Sequence, residues 1–473
     1  MAGSERMSRW RGRTTPPARA VLVAVASLVL AAPLAGQGLE GVGGAIDQPF
    51  LGRLLRGAIG IVFLLSMAWL FSARRKHIDW ALVAKGVTLQ IVFALLVLRT
   101  GVGRGFFRAV NDVFVALIGY TNAGASFLFG SLVGYSTPVT GGEGVVNIGA
   151  NFAFSVLPTI IFFSSLMALA YHLRLMQRVV KGVAWAMQRT LRTSGAETTS
   201  AAGNIFVGQT EAPLLIRPFV GRMTLSELNT VMTGGFATVA GGAMAAYVAL
   251  LVGVFPDIAG HLLAASIMAA PAGIVVSKML MPETEEPETK GSLDIELPET
   301  HVNVIDAAAG GAADGLKLAL NVGAMLLAFL ALIAMGNGII GWLTGLVGVE
   351  GITLERLFGW VFAPVAWLIG VPWADAVDVG SLFGIKMVAN EFVAFTTLGQ
   401  GLGGELELSN KALIMTTYAL TGFANFSSIA IQIGGIGGIA PQRRQDLSKL
   451  GLRAMLGGTS ATWMTATLAG VLA

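Results

Sequence analysis

The sequence predicts an all-α polytopic membrane protein with eight transmembrane helices, two re-entrant hairpins and an inverted repeat built from interrupted helices. Three observations carry this. Of 473 residues, 54% are hydrophobic and only 12% charged, against about 25% charged in soluble domains, and mean hydropathy is +0.73. Basic residues collect where apolar runs end, as cytoplasmic loops require. Two stretches, 208–213 and 390–391, set carboxylates in apolar surroundings, where ionisable groups mark functional sites by default.

From the N-terminus, the basic stretch 1–19 precedes an apolar run at 20–32 and small residues to 36, the outline of a signal peptide; a short extra span is the alternative. A first span at 57–73 ends in Arg74-Arg75-Lys76, which puts that end in the cytoplasm and the mature N-terminus outside. Residues 77–85 read as an amphipathic surface helix and 86–98 as the second span. Segment 106–134, interrupted by Arg108, Asn111 and Asp112, reads as an outer-face helix lying partly in the membrane. A third span at 148–171 returns inward to Arg174, Arg178, Lys181, Arg189 and Arg192.

Residues 204–218 therefore enter from the cytoplasmic side. Gly208 and Pro213 bracket Gln209, Thr210 and Glu211, so a continuous helix is disfavoured. Broken backbone at membrane depth survives only where protein or a wet cavity surrounds it, so this is a candidate binding hairpin; a plain cytoplasmic loop is the alternative. Spans follow at 228–254 and 259–280. Residues 282–301, with Glu283, Glu285, Glu286 and Glu288, read as a solvated inside linker whose charges are a wet surface. After it come a long span at 315–347 and an outer segment at 349–380 with Trp360, Trp367 and Trp373 as interfacial anchors. A second hairpin at 384–398 carries Asn390-Glu391, and spans at 411–437 and 451–472 close the chain.

The halves echo each other. Gly235-Phe236-Ala237-Thr238 follows the first hairpin acid and Gly422-Phe423-Ala424-Asn425 the second, on spans that the topology runs in opposite directions. Inverted repeats with interrupted helices are the pattern of secondary transporters, with the site at the repeat interface. A channel, or a carrier for another polar metabolite, is the competing class. There is no cysteine, and the four histidines are scattered, so a thiolate metal site, a Cys nucleophile and a zinc protease are unsupported. No nucleic-acid partner is expected, because topology explains the basic residues behind the net charge of +4.

With residues 208–213 (GQTEAP), 235–241 (GFATVAG), 390–394 (NEFVA) and 422–428 (GFANFSS), the chain resembles a bacterial member of the concentrative nucleoside transporter family over about 55–473. The resemblance implies a homotrimer of eight-helix protomers in the inner membrane, importing nucleosides with sodium or, in some members, protons. It implies scaffold segments at 55–172 and 303–380, transport repeats at 173–281 and 381–473, and a cytoplasmic linker at 282–302. Gln209, Thr210, Glu211 and Ala243 would then meet the nucleobase, and Glu391, Phe423, Asn425 and Ser428 the ribose. Asn204 and Thr238 would bind sodium through side chains, Val207 and Val239 through carbonyls. It implies no cofactor besides the coupling ion and no enzymatic activity.

Overall fold

The computed structural model describes residues 50–133, 135–138, 145–148, 152–291, 301–402, 404 and 406–472. The segment read as a signal peptide lies outside them. Among the described residues, seven helical stretches are long and apolar enough to cross a membrane. They are Phe50–Leu70 (α1), Trp80–Arg99 (α2), Gly101–Phe129 (α3), Ala153–His172, whose main helix is Leu157–His172 (α4), Leu225–Leu251, Ile258–Leu280 (α9) and Val304–Gly345 (α10). Leu225–Leu251 is two helices, Leu225–Ala237 (α7) and Gly241–Leu251 (α8), broken at residues 238–240. Between α4 and α7 lie Leu175–Leu191 (α5) and Gly195–Gly203 (α6). After α10 come Leu354–Ile369 (α11), Ala376–Val388 (α12), Glu391–Leu402 (α13), Asn410–Leu420 (α14), Phe426–Ile439 (α15) and Arg444–Leu472 (α16). A short antiparallel hairpin, Tyr135–Pro138 with Val145–Ile148, departs from the all-α pattern.

α3 has the length to span, but its contacts say that it lies across one end of the bundle. Near its start, Phe107 meets His261 edge-on at 4.8 Å, at the beginning of α9; its last residue, Phe129, meets Phe154 at 5.0 Å, just before α4. Both ends of α3 thus sit opposite the linker that joins α9 to α10. With α14 and α15 as one interrupted span and α16 as the last, eight spans remain.

Several sequence boundaries shift. The surface helix expected at 77–85 does not form; α2 runs unbroken from Trp80, because Asp79 accepts from the amides of Ala81 and Leu82 and caps it there. The segment 349–380 is no single outer stretch: α11 fills its middle, and the second hairpin starts at Ala376, eight residues before the expected 384. The span expected at 315–347 begins at Val304, capped by Asn303. The basic stretch after α4 is a helix, α5.

These corrections complete the repeat. A helix, a broken hairpin, a broken span and a long helix occur in that order twice: α5, α6 with residues 204–220, α7–α8 and α9, then α11, α12–α13, α14–α15 and α16. The copies are inverted. Arg443, just past α15, donates to Met223 O, just before α7, so α7 and α15 run antiparallel in one half of the bundle. The two span breaks meet back to back: Gly422, at φ +91°, lies where a Cβ would fall 2.6 Å from Phe236 O. Both the positive φ and that approach require glycine.

Opposite the α3 end, the linker is no mere wet surface as its composition suggests. Ser194 with Glu197 and Thr224 with Glu227 form two capping boxes, starting α6 and α7. Ser194 Oγ donates to Glu227 at 2.5 Å, joining the two caps. Lys278, from the end of α9, pairs with Glu197 at 2.8 Å and with linker residue Glu283 at 3.3 Å. Thr289, also in the linker, accepts the Gly195 and Ala196 amides through its carbonyl and hydroxyl. Composition marks residues 282–291 as soluble, but four orphan amides at each helix start and a buried ammonium supply partners that composition does not reveal. Lys278→Met leaves Glu197, 1% exposed, without its cation. Removing one partner of a buried pair costs about 3–5 kcal/mol, so the melting temperature in detergent should drop clearly. Lys290→Met, which breaks the exposed pair with Glu286, should leave it nearly unchanged.

Candidate functional site

Four chain interruptions converge between the halves. The first hairpin leaves helix at Asn204 and resumes as a 3-10 turn over Ala212–Ile216. The second breaks at Ala389 and Asn390, and the two broken spans part at residues 238–240 and 421–425. Each break frees amides and carbonyls that water cannot reach at this depth, so side chains must satisfy them. Asn390 accepts from Val393 N at 2.9 Å and starts α13; Asn425 accepts from Ser428 N at 2.8 Å and starts α15. Lys386, 3% exposed, donates to the carbonyls of Ala419 and Thr421 at 2.8 and 2.9 Å. It thereby covers the open end of α14, where a cation also suits the helix dipole.

These caps aim the remaining polar atoms at one another. With Asn425 Oδ1 held by the Ser428 amide, Asn425 Nδ2 turns to Glu391 Oε2 at 2.8 Å. Tyr247 OH, from α8, donates to Glu391 Oε1 at 3.1 Å. Glu391 opens α13, where the helix N-terminus favours a negative charge, and it is 3% exposed. From Ser428 the chain continues, since Gln209 Nε2 donates to its hydroxyl at 3.2 Å. Gln432 Nε2 then donates to Gln209 Oε1 at 2.9 Å and to Met232 O at 3.1 Å. One run of hydrogen bonds thus connects the second hairpin, both broken spans and the first hairpin.

Of the expected substrate-site residues, Gln209, Glu391, Asn425 and Ser428 are joined in this run. Phe423 sits half-buried in the break just before Asn425. Thr210 lies against Gly435, where a Cβ would be 2.6 Å from its methyl. Glu211 stays outside the run: it is exposed, and its carboxylate folds over Gly208 so closely that a Cβ there would overlap it. Ala243 is buried in the apolar core.

Beside this cluster, the tip of the first hairpin packs on the α7–α8 break, with Gly241 N donating to Phe206 O at 3.0 Å. Asn204 is 1% exposed, and neither polar atom of its amide has a partner. Such a group costs about 1–3 kcal/mol unless something satisfies it. Thr238 Oγ1 gives its proton to Gly234 O at 2.9 Å, which leaves its lone pairs free to face a cation. Val207 and Val239 lie outside helices, so neither carbonyl is committed to a helical bond. An oxygen-rich, anion-poor set of this kind suits a hard monovalent cation.

Sequence reading missed Tyr247, Lys386 and Gln432. Gln432 and Lys386 left a signal, each a lone polar residue in an apolar stretch, one turn past Ser428 and five residues before Glu391. Tyr247 left none, since a tyrosine among alanines and valines reads as core.

Two interrupted, inverted repeats that meet in a buried polar cluster define a secondary transporter of the alternating-access kind, not an enzyme. The comparisons identify which. Residues 59–132 match the N-terminal model of Na+ dependent nucleoside transporters, 261–470 the C-terminal model, and 153–254 a model described as nucleoside recognition. The chain is 46% identical over 420 residues to the uncharacterized transporter YutK of Bacillus subtilis, covering 89% of this chain and 99% of that one. It is 42% identical over 426 residues to sodium/nucleoside cotransporter 1 of Rattus norvegicus, covering 87% of this chain and 63% of that longer protein. A solved structure of CNTnw in an inward-facing substrate-bound state matches with a TM-score of 0.80 at 44% identity, over 89% of this chain and 98% of that one. The chain belongs to the concentrative, sodium-dependent nucleoside transporter family.

Proposed function

We propose that this protein imports nucleosides by sodium symport, holding the substrate where the two hairpins and the two broken spans meet. The hydrogen-bonded run from Glu391 to Gln432 is the observation that carries the reading, because it assembles a buried carboxylate, three side-chain amides and hydroxyls at the repeat interface. Glu391 is placed to accept from two vicinal ribose hydroxyls, with Asn425 and Ser428 beside it and Phe423 against the sugar. Gln209 and Thr210 face the nucleobase, with Glu211 at the open side and Ala243 as an apolar floor. Sodium, carried along with the nucleoside, is held by Asn204, Thr238 and the carbonyls of Val207 and Val239. The protein resides in the bacterial inner membrane with both mature termini outside, as a homotrimer, which native mass spectrometry from detergent tests by mass.

Proteoliposomes loaded without substrate and given labelled uridine or adenosine under an inward sodium gradient should accumulate nucleoside above the outside concentration. Replacing sodium by choline should stop accumulation. Uptake that merely equilibrates would indicate a channel, and uptake that follows only an imposed pH gradient would indicate proton coupling.

Gly208→Ala tests the first hairpin. The added methyl displaces the Glu211 carboxylate from its seat, so the KM for every nucleoside should rise by about tenfold, the scale of one hydrogen bond or less. An unchanged KM for uridine would remove Glu211 from the binding site.

A further inference from the structure

We infer that Gln432 is a positioning residue that fixes which end of the Gln209 amide meets the nucleobase, so that Gln209 presents a hydrogen-bond donor. The inference deepens the nucleoside reading and rests on it. It is anchored on an atom that cannot turn round. Met232 O is a backbone carbonyl and can only accept, so the Gln432 terminus 3.1 Å from it is the nitrogen. That same nitrogen lies 2.9 Å from Gln209. Its two protons are then both committed, and Gln209 must offer its oxygen to receive the second. The Gln209 nitrogen is forced to the opposite side, where one proton goes to Ser428 Oγ at 3.2 Å and the other is free for a ligand.

The packing preserves this arrangement. Gln432 is fully buried, and Gly235 admits the two amides together: a Cβ there would fall 2.8 Å from Gln209 Cβ and 3.0 Å from Gln432 Nε2. Gln209 comes from the first repeat and Gln432 from the second, so the orientation is set only when the halves are assembled. A donor at this position favours a base with an acceptor, such as a ring carbonyl, over one with an exocyclic amino group there.

Gln432→Glu reverses the logic. A neutral carboxyl with its hydroxyl in the place of that nitrogen donates its one proton to Met232 O, and the same hydroxyl oxygen then accepts from Gln209, whose amide turns and shows its carbonyl to the base. Gln432→Leu removes the anchor and lets Gln209 take either orientation. The readout is the KM ratio within two pairs of nucleosides that differ by a carbonyl or an amino group, uridine with cytidine and inosine with adenosine, in proteoliposomes. For Gln432→Glu the ratio in at least one pair should move about tenfold toward the amino-bearing member, the worth of one exchanged hydrogen bond. For Gln432→Leu the same ratio should approach one, and this variant carries the test if the glutamate variant does not fold. Ratios that stay within about twofold of wild type in both pairs, whatever happens to uptake, would make Gln432 a packing residue and overturn the inference. A wild-type protein that takes up none of the four overturns the nucleoside reading and the inference with it.

Discussion

Glu391→Gln should lower kcat/KM for ribonucleosides by about a hundredfold or more, because hydrogen bonds to a charged group contribute about 1.5–3 kcal/mol each and a diol makes two. The protein should stay folded. Glutamine keeps one acceptor for the Tyr247 hydroxyl now 3.1 Å away, and the substitution removes a buried charge instead of creating one. Only Asn425 Nδ2, at 2.8 Å from the carboxylate, would face a donor in one of the two amide orientations. Uptake of labelled uridine, with gel filtration of the variant in detergent, checks both parts. Free uracil serves as the control. If it competes as well as uridine does in the wild-type protein, the sugar contributes nothing and Glu391 belongs to the framework.

Asn204→Leu should uncouple uptake from sodium. The wild-type amide is buried with neither polar atom partnered, so leucine removes an unsatisfied group and should raise the melting temperature measured without sodium. It should also abolish the further stabilisation that sodium gives the wild type, since a ligand stabilises only the state that binds it. Thr238→Val removes one proposed ligand oxygen and the bond to Gly234 O; it should raise the sodium concentration for half-maximal uptake severalfold. By linkage, sodium and nucleoside must raise each other's affinity by the same factor. Wild-type melting that ignores sodium but responds to nucleoside would place the coupling ion elsewhere.

Much of this was legible from local chemistry. Apolar runs long enough to span, basic residues at their ends, and carboxylates beside Gly208 and Asn390 each depend on a handful of neighbouring residues. The four stretches with Gly-Gln-Thr-Glu, Gly-Phe-Ala-Thr, Asn-Glu-Phe and Gly-Phe-Ala-Asn located the breaks within a few residues. Boundaries were less legible where a cap decides them. Asp79 starts α2 and Asn303 starts α10 upstream of where the apolar runs begin. Repeat content was under-read for a related reason: α5 has a strongly polar face and looks like a basic loop when only hydropathy is followed.

By itself, then, the sequence located eight spans, two re-entrant hairpins and a repeat with interrupted helices, and marked the short polar stretches in them, because hydropathy, glycine and proline act over one or two turns. The tertiary structure decided what those stretches do to one another. Gln209 and Gln432 are 223 positions apart, Tyr247 and Glu391 are 144 apart, and nothing local brings them into contact. Their meeting follows from two inverted halves packing break against break through Gly422, and from buried donors and acceptors having no water to bond instead. The same physics turned the acidic linker from a solvated tether into a clasp on Lys278, since partners for a buried ammonium can be found only once the helices around it are in place.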